Sequence, residues 1–410
     1  MTKKNIVIVG GGASGMMAAI AAAKAGAKSI TVLEQKDRVG KKILSTGNGK
    51  CNFTNEYMNE DCFRGDNTDI VADVLKQFGF EDTIRFFEEL GILWKSKNGY
   101  VYPISEQATA ILDILRFELK KYDVCIQTDT KVLAIKKQQD NFVIETNGEC
   151  LTADAVILAT GGKAASKLGS DGSGYQLAKQ LGHHISEVVP ALVQLHGNGD
   201  YFKQVAGVRT HASVHLLVDC EEVACDTGEL QLTDYGISGI PVFQISRFAS
   251  KALARKKNVA VEIDFMPQQS EDDFVQYMTE RKVKHANKTA EEFCVGVFHK
   301  KLSIMLLKQS GISLNTKIAD VKNKQFFEFL HLCKHFQVDI TKTNSFEQAQ
   351  VCAGGVKTTE ICSETMESLY VPGLYLVGEL LDIDGICGGY NLQWAWATGY
   401  IAGTNAVKGK

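Results

Sequence analysis

Runs of consecutive apolar residues occur near both ends of the chain. Four of them read as strands buried on both faces of a sheet: Ile6–Val9, Ser29–Leu33, Ala155–Ala159 and Gly373–Gly378. Between the first two, Met16–Ala25 is rich in strong helix formers and ends before a glycine, which predicts a helix with a glycine cap. This order predicts an α/β fold in which both termini contribute to one parallel sheet.

Shorter segments alternate between apolar and polar residues, as half-buried strands do. The first group is Val124–Thr128, Lys131–Lys136, Phe142–Glu145 and Cys150–Ala153. We interpret these four as one antiparallel meander.

The pattern changes after Pro190. Alternating stretches predict strands of a partly closed sheet, namely Ser213–Val218, Glu229–Leu232 and Val242–Ile245. Beyond Lys251 the period is mainly helical, with candidate helices at Asp272–Lys284, Ala290–Gln309 and Lys324–Cys333. We therefore predict a Rossmann-type domain built from residues 1–190 and 350–410, an inserted β-rich subdomain from residues 191–250 and about 340–349, and a helical subdomain from residues 251–339.

A glycine-rich turn follows the first strand directly. Gly10, Gly12 and Gly15 have the G-x-G-x-x-G spacing, which permits a tight turn, close approach of the backbone to phosphate and close packing of helix on strand. The start of the following helix offers free N–H groups and a positive dipole end to a pyrophosphate. Strand, turn, helix, strand and acid occur in the order of a dinucleotide-binding unit.

The acid is Glu34, at the end of the second strand, where it can accept hydrogen bonds from ribose hydroxyls. A carboxylate there disfavours the 2′-phosphate of NADP and leaves FAD and NAD. The segment Val39–Asn55 favours FAD, because a loop rich in Gly, Asn, Ser and Thr that also carries lysines can wind around a diphosphate and a flavin ring. The candidate FAD-binding residues of this half of the chain are Gly10, Gly12, Ala13, Ser14, Gly15, Glu34, Gln35, Lys41, Lys42, Ser45, Thr46, Gly47, Asn48, Gly49, Lys50, Cys51, Asn52, Lys131, Val132, Ala159, Thr160 and Gly161.

A second set of candidates lies near the other terminus. Glu379 and Asp382 follow the last predicted strand, at the carboxyl edge where open α/β sheets bind ligands. Gly388 and Gly389 then begin a predicted helix whose N-terminus could stabilise negative charge on a reduced flavin. The candidates here are Gly378, Glu379, Asp382, Gly388, Gly389, Tyr390, Asn391 and Leu392.

Five motifs in this order are similar to one bacterial flavoprotein family, the aminoacetone oxidase-like and 3-dehydro-bile-acid reductase-like NAD(P)/FAD-dependent oxidoreductases. They are Lys41–Asn55, Gly169–Tyr175, Leu232–Pro241, Ala353–Val356 and Gly385–Trp396, and the resemblance covers essentially the whole chain. It implies tightly but non-covalently bound FAD in a domain made from both termini. Lys50 stands where the family more often has arginine, and lysine keeps the positive charge but lacks the planar fork that makes bidentate contacts.

Composition limits the remaining choices. The chain has 410 residues, a formal charge of −3 and eleven cysteines without a C-x-x-C pair, which indicates reduced thiols and excludes a disulfide-reductase mechanism. Cys51 and Cys387 are interpreted as packing residues, with a redox-active thiol as the alternative. We expect no signal peptide, because residues 1–5 lead directly into the first strand, no membrane span and a cytoplasmic location.

Metal and nucleic-acid ligands are not expected. His331 and His335 are spaced i, i+4, but the sequence shows no acidic or cysteine partner, so we predict no metal site. Residues 251–345 carry 16 Lys/Arg and 11 Asp/Glu, a net of +5, which we attribute to solvated helix faces. A small molecule is the expected partner, and the oligomeric state is not predicted.

Three functions remain open. The first is a reductase that takes hydride from transiently bound NAD(P)H and delivers it to an activated C=C bond, with Tyr235 as a weak candidate for the proton donor. The second is an amine oxidase or dehydrogenase, for which no base is evident. The third is a flavin-bearing protein that binds RNA through the basic insertion.

Overall fold

The computed structural model describes residues 4–408 and divides the chain into two compact units. The terminal unit comprises Met1–Val189 and Phe346–Lys410, and the inserted unit comprises Pro190–Ser345. Among the described residues, no helix is both long enough and apolar enough to cross a membrane. The expectation that the chain has no signal peptide rests on residues 1–5. Of these, residues 1–3 lie outside the described residues.

The elements follow in chain order. The strands are β1 Asn5–Val9, β2 Ser29–Leu33, β3 Thr54–Asn55, β4 Phe63–Arg64, β5 Trp94–Lys97, β6 Tyr100–Pro103, β7 Cys125–Gln127, β8 Val132–Gln138, β9 Asn141–Thr146, β10 Cys150–Ala153, β11 Ala155–Leu158, β12 Val189–Ala191, β13 Leu195–Gly197, β14 Arg209–Val218, β15 Glu221–Leu232, β16 Gly236–Gly239, β17 Val259–Asp264, β18 Phe336–Thr343, β19 Val351–Ala353, β20 Leu374–Leu376 and β21 Asp384–Gly385. The α-helices are α1 Ala13–Lys24, α2 Ile70–Gln77, α3 Phe80–Glu89, α4 Ala108–Lys121, α5 Ser173–Gln180, α6 Phe202–Val205, α7 Ile240–Ala254, α8 Glu271–Lys284, α9 Ala290–Phe293, α10 Lys300–Gln309, α11 Asn323–Lys334 and α12 Tyr390–Lys408. Short 3₁₀ turns occupy Lys41–Gly49, Glu60–Cys62, Ser166–Leu168, Ile318–Asp320, Thr358–Glu360 and Gly378–Leu380.

A five-stranded parallel sheet forms the centre of the terminal unit, in the order β20-β11-β1-β2-β7. Its middle strand β1 is buried on both faces, which explains the continuous apolar run Ile6–Val9. Because β20 comes from the end of the chain and β1 from its start, the predicted α/β fold built from both termini is confirmed.

Helices α1 and α12, from the two ends of the chain, pack closely on each other because glycines face the contact. A Cβ atom on Gly403 would lie 2.2 Å from the carbonyl oxygen of Ala18, and one on Gly399 would lie 2.4 Å from that of Ser14. Only glycine allows the two backbones to approach this closely.

The predicted meander is partly wrong. Strands β8, β9 and β10 form the expected three-stranded antiparallel sheet. The first predicted strand instead contributes β7, which pairs in parallel with β2 through Thr31 and Cys125. The preceding helix α4 supplies the crossover that a parallel connection requires, so this strand extends the central sheet.

The inserted unit contains a closed barrel with strand order β13-β16-β15-β14-β17-β18. The predicted strand Val242–Ile245 lies instead in helix α7, with Pro241 in its first turn. Val242, Ile245 and Ala249 are buried at three- and four-residue spacing, so the helical period prevails over the local β preference.

The predicted helical region also differs in detail. Strand β17, inside it, belongs to the barrel, as does β18, which begins at Phe336. The predicted helix Ala290–Gln309 is two helices, α9 and α10, because the chain between them turns at Gly296 with φ +83°.

A buried amide connects helix α12 to the elements that precede the meander. Gln393 is fully buried, and its Oε1 accepts hydrogen bonds from the hydroxyls of Thr54 and Thr83 at 2.7 and 2.8 Å. Its Nε2 donates to the carbonyls of Phe78 and Gly79, each at 3.1 Å. All four hydrogen-bonding positions of the amide are therefore used.

Gln393→Leu is expected to lower the free energy of unfolding by about 3 kcal/mol or more, because leucine leaves buried hydroxyls and carbonyls without partners. Urea unfolding followed by tryptophan fluorescence measures this, since Trp94, Trp394 and Trp396 all lie in the terminal unit. The exposed Gln180→Leu is the control and should change stability by less than about 0.5 kcal/mol. Equal stability of the two variants would contradict the proposed role of the amide.

Candidate cofactor site

In the glycine turn between β1 and α1, Gly10 and Gly15 are packed against backbone atoms, whereas Gly12 faces open space. A Cβ atom on Gly10, which has φ +106°, would lie 2.4 Å from the carbonyl oxygen of Ala159, and one on Gly15 would lie 1.9 Å from that of Gly10. These two glycines are required by packing. A Cβ on Gly12, by contrast, would meet nothing within 4 Å, so this position opens into free space.

Gly12 is also the residue that precedes α1. It has extended backbone, and no side chain caps the helix, so the amides of the first turn, at Ala13 and Ser14, are available to a ligand. An open cradle at the N-terminus of a helix fits a phosphate group. The predicted pyrophosphate site is therefore consistent with the local geometry.

Glu34 is held firmly at the end of β2. One carboxylate oxygen accepts the N–H of Gly11 at 2.9 Å, and the other accepts the N–H of Lys36 at 2.8 Å. Burial raises the pKa of this carboxyl, although the two backbone hydrogen bonds oppose the rise. The carboxylate is thus fixed beside the glycine turn, as the proposed ribose contact requires.

The neighbouring candidates have protein partners. Gln35 donates from Nε2 to the carbonyl of Gly169 at 2.6 Å, and Lys131 lies 3.3 Å from Asp171. Val132 begins β8 and is buried. Direct contact with a nucleotide stays a prediction for each of these side chains.

The loop that follows β2 forms short 3₁₀ turns with several residues in the left-handed region. Gly47, Asn48 and Gly49 have φ of 55°, 54° and 84°, and Cys51 has φ 56°. Such successive conformations curl backbone N–H groups around a concave surface that suits an anion. The hydroxyls of Ser45 and Thr46 donate to backbone carbonyls of the same turn, at 2.8 and 2.6 Å.

Each lysine of this loop forms an ion pair with a carboxylate. Lys41 pairs with Asp37, Lys50 pairs with Glu106 at 2.6 Å, and Lys42 pairs with Glu379 at 2.8 Å. Their predicted role in balancing phosphate charge stays a prediction. The pairing with Glu379 connects two candidate segments that are more than 300 residues apart in sequence.

Cys51 lies inside this loop and is fully buried. Burial raises the pKa of its thiol to about 12, so the thiol stays protonated at neutral pH and is a poor nucleophile. The adjacent Asn52 accepts the N–H of Val101 at 3.2 Å through Oδ1. Cys51 is therefore a packing residue of the buried core, and Asn52 ties the loop to β6.

Cys51→Ser is expected to leave flavin content unchanged and turnover within about twofold of the wild type, because a protonated buried thiol has no part in electron transfer. Flavin absorbance per chain and steady-state turnover measure this. Exposed Cys150→Ser is the matched control. Loss of turnover in Cys51→Ser with flavin retained would show that the thiol is redox-active.

The turn after strand β11 also lies beside the glycine turn. Gly161 has φ +70°, and a Cβ there would lie 2.9 Å from the hydroxyl of Ser170. Thr160 packs against Gly174, where a Cβ would lie 1.8 Å from the threonine hydroxyl oxygen. Together with buried Ala159, these residues form a wall of small side chains beside the glycine turn.

Acidic candidates gather at the carboxyl end of β20. Glu379 accepts the N–H of Cys352 at 2.9 Å in addition to its pairing with Lys42. Gly378 has φ +69°, and a Cβ there would lie 2.7 Å from the hydroxyl of Ser14, so this turn touches the start of α1. The two ends of the chain therefore meet at one site, as predicted from sequence.

Two polar groups near this end are buried without a protein partner among the described residues: Asp382 Oδ1 and the hydroxyl of Tyr175. Asp382 uses only Oδ2, which accepts the N–H of Asp66 at 3.3 Å. Burial raises the pKa of Tyr175 well above its usual value. Buried polar atoms without partners are rare, and a carboxylate oxygen and a phenol hydroxyl at this place would suit a bound group that carries hydroxyls, as the ribityl chain of FAD does. Tyr175 ends the Gly169–Tyr175 motif but was not among the cofactor contacts predicted from the sequence.

Helix α12 begins at the glycine pair. Gly388 and Gly389 have φ of 132° and 94°, and a Cβ on Gly389 would lie 2.6 Å from the carbonyl oxygen of Thr54. Both ends of the Asn391 amide bond to the backbone of Gly385. Oδ1 accepts the N–H at 2.9 Å, and Nδ2 donates to the carbonyl at 2.8 Å.

The side chain of Tyr390 packs edge-on against Phe63, and that of Leu392 is half-buried. The backbone amides at the start of α12, more than these side chains, are thus the groups available to a ligand.

Tyr235 lies in the inserted unit, within a small polar network. Its hydroxyl accepts a hydrogen bond from Nδ2 of Asn344 at 3.1 Å, and the same Nδ2 donates to Gln194 at 3.1 Å. Oδ1 of Asn344 accepts from Nε2 of His196 at 2.5 Å, and the His196 ring stacks on Tyr235 with centroids 4.3 Å apart. Since the tyrosine oxygen accepts from Asn344, its own proton is free for another acceptor.

Residues 4–405 match the family described as the HI0933-like protein Rossmann domain. The chain belongs to this family. It is 50% identical over 404 residues to the 3-dehydro-bile acid delta(4,6)-reductase of Clostridium scindens, covering 98% of this chain and 99% of that protein. The resemblance inferred from the five motifs is therefore confirmed.

Two further likenesses are more distant. The HI0933-like chain is 31% identical over 402 residues to the ribosomal RNA dihydrouridine synthase of Haemophilus influenzae, with 96% of each protein covered. A solved structure of 3-ketosteroid-delta4-(5alpha)-dehydrogenase from Rhodococcus jostii RHA1 is 16% identical, covers 98% of this chain and 96% of that one, and has a TM-score of 0.48.

Family membership and the geometry of the site agree. This HI0933-like protein is an FAD-dependent oxidoreductase. A flavin-bearing protein without enzymatic activity, the third reading of the sequence, is not favoured.

Proposed function

We propose that the protein reduces a C=C bond conjugated to a carbonyl group in a small molecule, with NAD(P)H as the hydride donor. The observation that carries this proposal is the 50% identity, over nearly the full length of both chains, to a 3-dehydro-bile acid delta(4,6)-reductase. That name describes the reduction of double bonds conjugated to a 3-oxo group. The amine oxidase reading has no comparable support.

The terminal unit would hold the cofactor. The open cradle at Gly12 suits the pyrophosphate, Glu34 suits the ribose, and the unpartnered Oδ1 of Asp382 suits a hydroxyl donor of the ribityl chain. When bound, FAD supplies the hydride chemistry, and the protein supplies position and electrostatics. The amides at the start of α12 would stabilise negative charge on the cofactor.

Reduction of an enone adds a hydride to the β-carbon and a proton to the α-carbon, so an acid is needed as well as the flavin. Our candidate for that acid is Tyr235. Its hydroxyl oxygen accepts from Asn344 and keeps a proton to donate. Asn344 itself is fixed by His196 and Gln194, which leaves the tyrosine one preferred orientation.

The second candidate function is the same chemistry on a uracil base in RNA. It is favoured by the likeness to a ribosomal RNA dihydrouridine synthase and by the excess of 16 Lys/Arg over 11 Asp/Glu in residues 251–345. Saturating the C5=C6 bond of uridine also reduces a C=C bond conjugated to a carbonyl.

Product analysis distinguishes the two. The purified holoenzyme is incubated with NADH or NADPH and either a 3-oxo-Δ4,6 bile acid or ribosomal RNA. The proposal predicts a steroid product heavier by two hydrogen atoms for each double bond reduced, and no dihydrouridine. Dihydrouridine without steroid reduction would replace the first function by the second, and product from neither substrate would refute both.

A further inference from the structure

The fold of the inserted unit gives the histidine pair of α11 acidic neighbours that the sequence did not reveal. His331 and His335 lie one turn apart at the end of this helix, with their rings 4.9 Å apart. Glu271, the first residue of α8, approaches His335 from one side, and Glu262 on β17 approaches it from another. Three separate elements therefore meet at this pair.

The donor atoms are close enough to share one ion. Glu271, His331 and His335 each offer one ligand atom, and these atoms all lie within 4.8 Å of one another. In a tetrahedral zinc site with bonds of about 2.0–2.2 Å, neighbouring ligand atoms are about 3.3–3.6 Å apart. Nε2 of His335 and Oε2 of Glu271 already have this separation, at 3.4 Å, which is long for an ordinary hydrogen bond.

The orientation of His335 is set by Glu262. Nδ1 of the ring lies 3.0 Å from Oε1 of Glu262, so Nδ1 carries the proton and donates it to the carboxylate. Metal-binding histidines are held by carboxylates in this manner. Nε2 then faces the carboxylate of Glu271, and two acceptors at this distance need a cation between them, either a proton or a metal ion.

Nearby charges do not oppose a cation. Two carboxylates face His335, with Glu262 3.0 Å from Nδ1 and Glu271 3.4 Å from Nε2. Lys334, the adjacent residue, is neutralised by Asp264 at 2.7 Å, and its ammonium donates to the carbonyls of Met266 and Gln269. The charge of Lys334 is therefore engaged away from the histidine pair.

We propose that His331, His335 and Glu271 bind a divalent transition-metal cation of the zinc class, with Glu262 as a positioning residue. One carboxylate and two imidazoles form a suitable ligand set for such an ion and leave a fourth position for water. Binding displaces the proton from Nε2 of His335. The ion connects the start of α8 to the end of α11, while Glu262 ties the site to the barrel strand β17.

A second cluster in the same unit serves as an internal comparison. His215, Glu222 and Cys225, on the β14–β15 hairpin, also have ligand atoms within 4.8 Å of one another. His215 already makes a hydrogen bond of ordinary length, 3.0 Å, to Glu222, which is a member of the cluster, whereas His335 and Glu271 are 3.4 Å apart, and the other ring nitrogen of His215 lies 3.0 Å from the hydroxyl of Ser213. This cluster must rearrange before it binds an ion, so we do not assign a site to it.

Cobalt(II) titration of the FAD-bound protein tests the proposal, because its visible spectrum reports binding and ligand type. We expect one high-affinity Co²⁺ per chain, no thiolate charge-transfer band, and competition by Zn²⁺. His331 and Glu271 are exposed, and His331→Ala or Glu271→Ala should each weaken Co²⁺ binding at least about tenfold. Glu262→Ala removes no ligand but should weaken Co²⁺ binding by about 10–100-fold.

The controls are His285→Ala, at the other end of α8, and the double variant His215→Ala/Cys225→Ser, both expected to bind like the wild type. The proposal is overturned if the wild type binds no Co²⁺ in the micromolar range, which would leave the contacts of His335 with Glu262 and Glu271 as hydrogen bonds within the protein. It is also overturned if His331→Ala binds like the wild type, or if the only variant that loses the ion is His215→Ala/Cys225→Ser.

Discussion

Gly12→Val is expected to give a folded protein that no longer retains FAD. The backbone of Gly12 is extended at φ −79° and ψ −165°, a conformation that valine adopts readily, and its Cβ would meet no protein atom within 4 Å. The same Cβ would occupy the space through which a pyrophosphate approaches the start of α1. We expect FAD affinity to fall about 100-fold or more, which is about 2.8 kcal/mol at 1.4 kcal/mol for each factor of ten. Fluorescence titration of the deflavinated protein with FAD measures the loss.

Gly15→Val is the matched comparison, because it alters the same turn for a different reason. A Cβ on Gly15 would lie 1.9 Å from the carbonyl oxygen of Gly10, so this variant is expected to lower the unfolding temperature of the protein itself. Gly12→Val should keep the unfolding temperature of the deflavinated wild type. Wild-type FAD affinity in Gly12→Val would contradict the placement of the pyrophosphate at this turn.

Tyr235→Phe is expected to reduce enone turnover by about 10²–10⁴-fold, the contribution typical of a positioned general acid. The substitution removes the proton that Asn344 leaves free on the hydroxyl, while the ring can still stack on His196. The reduction of bound FAD by NAD(P)H does not need this proton. The loss should therefore appear in kcat and in the oxidative half-reaction alone.

Tyr201→Phe is the control for Tyr235→Phe. Tyr201 lies in the same unit, packs against Phe202 and Phe336, and keeps its proton because burial raises its pKa to about 12. Its hydroxyl donates only a long hydrogen bond of 3.4 Å to Asn198, so turnover should change little. If Tyr235→Phe turns over enone at the wild-type rate, Tyr235 is not the acid.

The parts of the fold that could be predicted are those fixed by local pattern. Ile6–Val9 is apolar on both faces because it is the middle strand of a parallel sheet, and the glycines after it are required by contacts with Ala159 and within the turn itself. Such constraints act within a few residues of the chain, so the sequence displays them directly.

The errors arose where distant partners decide the structure. Cys125–Gln127 resembles a meander strand, yet it pairs in parallel with β2, and Val242–Ile245 has strand-forming residues but continues a helix begun at Pro241. Partner choice of this kind depends on tertiary packing, which overrides local propensity.

The candidate sites show the same limit. The sequence indicated Lys42 and Glu379 separately but not the ion pair between them, and it placed Tyr175 at the end of a motif without indicating that its hydroxyl is buried. His331 and His335 were visible as a pair, whereas Glu262 and Glu271 reach them only through the folding of the inserted unit. Contacts between residues far apart in the chain leave no local signature in a single sequence.

The most direct test of the central claim is an anaerobic titration of the purified holoenzyme. NADH or NADPH is added first, followed by a 3-oxo-Δ4,6 bile acid, and the visible flavin absorbance is recorded throughout. The account predicts that the nicotinamide nucleotide bleaches the flavin and that one equivalent of enone per flavin restores the absorbance. Flavin that neither nucleotide bleaches, but that an amine substrate does bleach, would contradict the reductase function.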